Sequence, residues 1–442
     1  MNERDGRVGK VAAAIAVAAL AVLAGPARAV DPAYGVYAPP AGLGTGAGEP
    51  SIGADHRTGA VLYIAGLQTL RVNFNDAVTP ATATWQDVSA LQTSLTTFDP
   101  ILYTDSQLGR TYVSQLLPTT VSLMAYTDDD GATWHPSQGA GIASGVDHQT
   151  VGGGPFHRGG LLGSLPQLYP HAIYYCSQDI ALAQCAVSLD GGTTFGPAVP
   201  IYNLTQCAGL HGHVKVAPDG TAYVPNKSCN GRQGVAVSTN NGLSWTVRTV
   251  PGSTSGSSDP SVGIGSDGTV YFGWNNGDGH AYVAVSHDQG ATWSGIRDVG
   301  SPSGVQNIAF PAVVAGDANR AAFAFLGTAA TGDATGDDPA FPAAWHLYVS
   351  HTYDGGATWQ TVDVTPNDPV QRGTICTSGT TCGTTRNLLD FMDITVDGEG
   401  RVLVGYADGC VGTCVNGGAN TFAAEARIAR QMGGKRLYAA FD

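Results

Sequence analysis

Short runs of β-forming residues, separated by turns rich in glycine and aspartate, recur along most of the chain. Pro260 to Gly265 is followed by a Ser-Asp-Gly-Thr turn and then by two further runs, Val270 to Trp274 and Ala281 to Ser286. Runs of this length with such boundaries are typical of strands joined by tight turns. No segment after residue 30 has a persuasive helical period, and glycine supplies 61 of the 442 residues. The pattern therefore predicts a turn-dense, all-β fold.

One short phrase recurs five times: Ser or Thr, any residue, Asp or Asn, any residue, Gly, any residue, Ser or Thr, and an aromatic residue. The copies are Thr127–Trp134, Ser188–Phe195, Ser238–Trp245, Ser286–Trp293 and Thr352–Trp359. An oxygen at the third position accepts hydrogen bonds from backbone N–H groups of a turn, and glycine relieves a strained φ. The final aromatic ring is expected to pack between strands. We therefore expect the third residues to be structural: Asp129, Asp190, Asn240, Asp288 and Asp354.

This phrase is similar to the Asp-box, or BNR repeat, of sialidases and related β-propellers. Its final aromatic residues lie 48 to 66 residues apart, which is the length of a four-stranded blade with generous loops. Trp85 marks an earlier, degenerate unit. The resemblance implies a β-propeller in which the repeated turns join the third and fourth strands of a blade.

A second phrase opens each unit and occurs seven times, at Glu49, Asp99, Asp147, His211, Asp259, Phe310 and Asp390. Seven openings predict a seven-bladed propeller. Six blades are the alternative, because the sialidases that the repeat resembles have six. We expect one propeller domain over residues 49–442, preceded by an N-terminal extension over residues 30–48. The C-terminal run Leu437 to Phe441 is expected to supply the fourth strand of the last blade.

Residues 1–29 are predicted to form a secretory signal peptide. Three basic residues precede an apolar run that ends near Leu23, and Ala27-Arg28-Ala29 is a small-x-small cleavage site. We therefore expect a secreted protein, either extracellular or periplasmic. Eight cysteines fit such an oxidising destination. The economical disulfides join near neighbours, on the face where the innermost strands begin: Cys176 with Cys185, Cys207 with Cys229, Cys376 with Cys382, and Cys410 with Cys414.

The charge of the chain excludes several classes of partner. The formal net charge is -14, from 21 basic and 35 acidic residues. No basic stripe is present that could neutralise phosphates, so a nucleic-acid partner is not expected. An anionic membrane surface is equally unfavourable, and no later run approaches the length of a membrane span. We expect a monomer without membrane insertion.

The polar residues at the starts of the innermost strands are the candidates for chemistry. Carboxylates that converge on one axial mouth repel one another, and imidazoles there can act as acid or base. We expect the catalytic groups among Asp147, His148, His211, His213, Asp259 and Asp390. The substrate-binding candidates are Glu49, Asp99, Lys227, Arg232, Trp274, Arg372 and Arg386. The alternative is that Asp or Glu before Pro caps a blade entry by accepting bonds from backbone N–H groups.

The sequence indicates no definite cofactor, but one acidic insert offers oxygen ligands. Residues 332–338 contain Asp333, Asp337 and Asp338, which are of the type that binds calcium. A flexible polar loop is the alternative interpretation of this insert.

The resemblance implies a glycan or polysaccharide as partner. The chain lacks the Arg-Ile-Pro phrase of the sialidases, which disfavours exo-α-sialidase activity. One open class is a carbohydrate-active enzyme, either a glycosidase with two carboxylates or a polysaccharide lyase with a His or Tyr base. The other is a non-catalytic propeller that binds a glycan or a protein, and a propeller fold supports both classes.

Overall fold

The computed structural model describes residue 1 and residues 31–117, 121–139, 147–179 and 182–442, so the predicted signal peptide lies, except for its first residue, outside the described residues. The described residues form seven sheets that follow one another around an axis. Neighbouring innermost strands contact each other in chain order, and the innermost strand of the last sheet returns to that of the first. The predicted seven-bladed β-propeller is confirmed.

Most blades consist of four antiparallel strands that run outward from the axis in chain order. A first strand, β1 (Ala33–Tyr37), precedes them all. Blade 1 comprises β2 (Ser51–Ala54), β3 (Val61–Ala65), β4 (Gln68–Asn75) and β5 (Thr82–Asp87). Blade 2 comprises β6 (Pro100–Asp105), β7 (Arg110–Leu117), β8 (Val121–Thr127) and β9 (His135–Ser137). Blade 3 comprises β10 (Asp147–Pro155), β11 (His171–Gln178), β12 (Leu182–Ser188) and β13 (Val199–Asn203).

The next three blades repeat this arrangement. Blade 4 comprises β14 (Lys215–Val216), β15 (Ala222–Cys229), β16 (Arg232–Ser238) and β17 (Thr246–Thr249). Blade 5 comprises β18 (Ser261–Ile264), β19 (Val270–Asn275), β20 (Ala281–Ser286) and β21 (Ser294–Asp298). Blade 6 comprises β22 (Asn307–Ala315), β23 (Ala321–Thr328), β24 (Ala344–Thr352) and β25 (Gln360–Asp363), with the two-residue β26 (Gln371–Arg372) paired to β24.

Blade 7 closes the ring with strands from both ends of the chain. Its strands are β27 (Asp393–Val396), β28 (Val402–Asp408), β29 (Glu425–Gly433) and, outermost, β1. The expectation that Leu437 to Phe441 forms the fourth strand is wrong, because β1 already occupies the outer edge of β29. Part of the segment 30–48 thus belongs to the propeller. The N-terminal strand β1 pairs with β29 near the C-terminus, and this pairing between the two ends of the chain closes the ring.

Helical segments in the described residues are short and lie in loops. They comprise one α-helical turn, α1 (Gly160–Gly163), and 3₁₀ turns at Leu91–Thr93, Ser301–Ser303, Gly379–Thr381, Thr384–Arg386, Gly412–Cys414 and Ala439–Phe441. Across the described ranges, no helix is both long enough and apolar enough to cross a membrane.

The five repeated phrases form turns between the third and fourth strands of blades 2 to 6, and their hydrogen bonds are alike. In blade 2, Asp129 Oδ1 accepts from Thr133 N at 2.8 Å and Oδ2 accepts from Thr133 Oγ1 at 2.7 Å, while Thr127 Oγ1 donates to Oδ1. Thr127 Oγ1 also accepts from Gly131 N. Both oxygens of this carboxylate therefore hold the turn together.

The chain's four disulfides, all within the described residues, pair the cysteines as the near-neighbour spacing predicts. We call the face where the innermost strands begin the upper face. Cys176 and Cys185 face each other across β11 and β12 below the upper loop of blade 3. The other three bridges tie links and loops on this same face. The upper face is thus the covalently braced one, while the repeat turns lie on the lower face.

Candidate functional site

An open cleft of about 510 Å³ lies at the upper end of the propeller axis. Its lining includes three carboxylates and two cations, namely Asp147, Asp259, Asp390, Lys227 and Arg386. Apolar side chains of Phe98 and Leu210 and the segment 377–380 complete its walls. We call this the axial cleft. All five charged residues were predicted as catalytic or substrate-binding residues. The fold brings them together in one cleft, although they come from blades that are far apart in sequence.

Asp259 is the centre of a buried charge cluster. Its Oδ2 lies 2.7 Å from His148 Nε2 and its Oδ1 lies 3.1 Å from Lys227 Nζ. Both are ion-pair distances. Burial opposes the charge on Asp259, but Lys227 and His148 outweigh it and hold the pKa of this carboxyl well below its usual range.

His148 and His211 face each other but have different chemical states. Their ring centroids are 5.6 Å apart and the rings are nearly perpendicular. Burial opposes a charge on His148, yet nearby carboxylates, Asp259 above all, raise its pKa to about 9. For His211, burial and the charge of His148 lower the pKa to about 3. His211 is also fully buried. It is therefore a neutral packing partner of His148 with no open path to the cleft.

Glu49 and Asp390 form a carboxyl pair with unequal surroundings. Arg386 binds both oxygens of Asp390 through its two terminal nitrogens, with one of the two contacts at 2.6 Å. Glu49 has no cation of its own, its side chain is buried, and its Oε2 has no hydrogen-bond partner. Burial, followed by the charges of Asp99 and Asp390, raises the pKa of Glu49 well above its usual value. One carboxyl of the pair is thus bound by a cation, whereas the other is buried and has a raised pKa.

Asp99, Asp147 and His148 form a compact group beside this pair. One ligand atom of each lies within 4.8 Å of the others, and no other such group of His, Cys, Asp or Glu occurs in the described ranges of the chain. Asp99 Oδ2 accepts from the backbone N–H of Gln149 in the next blade at 2.6 Å, as the capping alternative predicts. Burial raises the pKa of Asp99 to about 7, although His148 opposes the shift.

Several predicted binding residues lie elsewhere. Trp274 is fully buried and its indole N–H donates to Asn276, so it belongs to the core and cannot stack on a sugar. Arg372 donates to the backbone carbonyls of Cys414 and Val415 and so braces that loop. Arg232, at the start of β16, is exposed and does not line the axial cleft.

His213 lies below the cleft, contrary to its predicted place in the catalytic set. Phe391 packs edge-on against both His148 and His213, at ring distances of 6.1 and 4.7 Å. His213 faces a second cavity of about 720 Å³, the lower chamber, with Lys215 and Asp393 in its lining. It lies 3.8 Å from the Asp393 carboxylate. His213 thus lines the lower chamber and not the axial cleft.

Two carboxylates of the acidic insert, which were possible calcium ligands, accept hydrogen bonds from the surrounding loops. Asp337 accepts from the Gly383 backbone N–H and from Thr385 Oγ1, and Asp338 accepts from the Ala340 N–H. These carboxylates cap loop backbone, and together with Asp333 they do not form one of the groups close enough to share a cation within the described residues. The insert is a hydrogen-bonded loop.

Sequence reasoning missed three contributors to the site. Phe391 follows Asp390 directly in the last opening phrase, and Phe98 precedes Asp99 in the second, so the phrases themselves carried the signal. Phe391 packs against His148 and His213, and Phe98 is an exposed aromatic ring at the cleft. The segment 377–380 had no signal, because its approach to the cleft depends on how the link before blade 7 folds.

No protein-family model and no curated protein matches the sequence. Among solved structures, the chain is similar to the Niastella koreensis GH74 enzyme, with 17% identity, 88% of this chain and 55% of that chain covered, and a TM-score of 0.50. It therefore spans about half of that enzyme. It is also similar to YCF48 from Cyanidioschyzon merolae, with 12% identity, coverage of 91% and 98%, and a TM-score of 0.49.

A third similar structure is the Hadza microbial sialidase Hz136, with 14% identity, coverage of 88% and 66%, and a TM-score of 0.41. Identities this low support a shared fold and nothing finer. A β-propeller fold by itself indicates no particular function, because propellers host many different activities.

Proposed function

We propose that the protein is an exported glycoside hydrolase that binds a glycan in the axial cleft and cleaves it by carboxyl chemistry. The observation that carries this proposal is the unequal pair of Glu49 and Asp390. Glycosidases generally need one carboxyl group that donates a proton and another that stays ionised, and different surroundings are the means by which proteins separate these roles.

In the proposed reaction, Glu49 donates its proton to the glycosidic oxygen as the bond to the anomeric carbon breaks. Asp390, held as an anion by Arg386, stabilises the positive charge that develops on the sugar ring. A water molecule then adds its oxygen to the anomeric carbon, and its proton returns to Glu49. The catalytic pair thus comprises one residue that the sequence placed in the catalytic set and one that it placed among binding groups.

The shape and lining of the axial cleft support a sugar ligand. Its volume of about 510 Å³ is in the range of small-molecule sites. The exposed ring of Phe98 offers an apolar face to a sugar ring, while Asp147 and Lys227 offer hydrogen-bond partners for hydroxyl groups. Polar groups around an aromatic face are the combination that an amphipathic ring requires.

Two features outside the cleft agree with this proposal. The similar hydrogen bonds of the five turns support their interpretation as Asp-boxes, and Asn240 accepts from Ser244 N in the same way as the aspartates. The four disulfides support an oxidising location, which fits the signal peptide proposed for residues 1–29. Glycans outside the cytoplasm are the corresponding substrates.

A non-catalytic glycan-binding propeller is the second candidate, and one observation favours it. Glu49 is buried and does not belong to the residues that line the cleft, whereas Asp147 and Asp390 do. A binding protein needs these lining groups alone. A hydrolase needs direct contact between Glu49 and the glycosidic oxygen. The cleft would therefore have to widen slightly when the substrate binds, so that the buried Glu49 becomes accessible.

Hydrolysis tests the proposal directly. The purified chain is incubated with neutral, amino, uronate and sialic-acid oligosaccharides, and the products are followed by reducing-end release and by absorbance of unsaturated sugars. New reducing ends without unsaturation support hydrolysis, and unsaturated ends would replace it by a lyase. Binding on a glycan array without turnover would establish the second candidate, and the absence of both would refute a glycan function.

A further inference from the structure

We propose that Asp99, Asp147 and His148 form a divalent-cation site at the base of the axial cleft. The three side chains offer two carboxylate oxygens and one imidazole nitrogen, all within 4.8 Å of one another. This spacing is suitable for three ligands around one ion, because metal–ligand bonds of about 2.0 to 2.2 Å separate adjacent ligands by roughly 3 to 4 Å. A bound ion would displace a proton from the imidazole, because histidine binds metals in its neutral form. The site is independent of the proposed hydrolysis.

An unsatisfied buried oxygen is the second observation that points to a ligand. Asp99 is 2% exposed, and its Oδ1 has no hydrogen-bond partner although Oδ2 is bonded to the next blade. Buried polar atoms in proteins are nearly always satisfied, and an orphan commonly marks an ion or water that belongs there. A cation between Asp99 and Asp147 would satisfy this oxygen and offset the repulsion between the two carboxylates.

The surroundings of His148 hold its ring toward this group. Asp259 Oδ2 lies 2.7 Å from His148 Nε2, and Lys227 fixes Asp259 from the other side at 3.1 Å. A carboxylate that orients a ligand histidine is the usual support of a metal site. Phe391 packs against the edge of the same imidazole. The ring is thus fixed by neighbours from blades 5 and 7 before any ion arrives.

The ligand set selects the class of ion. Calcium and magnesium prefer oxygen ligands alone, whereas zinc and manganese accept imidazole together with carboxylates. Asp147 is exposed and lines the axial cleft, so at least one coordination position faces solvent. We therefore infer an open zinc or manganese site. The carboxylates of the acidic insert at residues 332–338 do not form such a three-ligand group, so the insert provides a control within the same chain.

The test measures metal content and affinity. The full chain is purified without a histidine tag, stripped with a chelator, and dialysed against Zn²⁺ or Mn²⁺, with bound metal measured by mass spectrometry. We expect one ion per chain, and at least a tenfold weaker affinity in Asp99→Asn and in Asp147→Asn. Asp147 is exposed, so its variant keeps the test valid if Asp99→Asn fails to fold. Asp333→Asn, which removes one charge from the acidic insert, should bind as wild type does.

Two results would overturn the site. One is the absence of stoichiometric Zn²⁺ or Mn²⁺ in wild type after dialysis. The other is equal affinity of wild type, Asp99→Asn and Asp147→Asn, which would place any bound ion elsewhere on an acidic surface. Neither result depends on glycan cleavage, so failure of the cation site and failure of the proposed hydrolase are separately visible.

Discussion

The carboxylates of the repeat turns and those of the axial mouth have the same chemistry but opposite environments. In the blade 5 turn, Asp288 accepts from the Thr292 N–H, the Thr292 hydroxyl and the Ser286 hydroxyl, and these donors lower its pKa to about 2. At the mouth, Glu49 and Asp99 each leave one buried oxygen without a donor, and burial raises both pKa values. Burial and the supply of hydrogen-bond donors, rather than residue type, separate the pKa values of the two groups.

The largest expected effect comes from replacing Glu49, the proposed general acid at the axial mouth. Glu49→Gln preserves shape but cannot donate the proton, so we expect turnover to fall by about 10²- to 10⁴-fold, the usual contribution of a general acid. Rates on the best substrate from the panel measure this loss, and thermal unfolding checks that the fold is intact. A full rate in Glu49→Gln would remove Glu49 from the mechanism.

The next effect concerns the turns, where Asp190→Ala removes an acceptor of three hydrogen bonds. We expect the free energy of unfolding to fall by about 1 to 2 kcal/mol, with glycan cleavage unchanged. Urea unfolding measures the change. The matched control is Asp190→Asn, because Asn240 already holds the equivalent turn with its amide. An equal loss in both variants would show that the turn requires the charge itself.

Replacing a carboxylate at the axial mouth should change the free energy of unfolding in the opposite direction. In the presence of a chelator, Asp99→Asn removes a buried charge whose Oδ1 is unsatisfied, and we expect the free energy of unfolding to rise by about 1 kcal/mol. With Zn²⁺ or Mn²⁺ present, the same variant should be less stable than wild type, because it loses the ligand-linked stabilisation. Destabilisation under both conditions would mean that Asp99 is satisfied as fully as the turn aspartates.

The smallest expected effect is the loss of stability that one turn undergoes at low pH. The folded pKa of Asp288 is about 2, below its ordinary value of 3.8, so its ionised form stabilises the fold above about pH 4. This contribution is lost as the pH falls from about 4 towards 2. We expect the stability gap between wild type and Asp288→Asn to shrink over that window in urea unfolding. A constant gap would contradict the depressed pKa.

The location of the turns and the number of blades were predictable because both depend on local sequence. A hydroxyl, an acceptor and a glycine within eight residues specify one turn wherever they occur, as Thr352, Asp354 and Gly356 illustrate. The near-neighbour cystines were predictable for the same reason, since few residues separate Cys410 from Cys414. In each case the interacting groups are close along the chain.

The axial site depended on contacts that no local pattern encodes. Glu49 and Asp390 are neighbours because the ring closes between blades 1 and 7, and β1 rather than the C-terminus completes the last blade. His211 and His213 differ by two positions, yet the first is fully buried beside His148 and the second lines the lower chamber. Trp274 became core because blade packing covers its whole surface.

Short-range patterns in this chain thus specify strands, turns, bridges and the count of blades, because hydrogen bonds across a few residues form the same way in every context. Which carboxyls meet a cation, which have a raised pKa and which histidines are buried beside them were decided when the blades closed around the axis. Burial and charge at the mouth are sums over residues from several blades, so they exist only in the assembled ring.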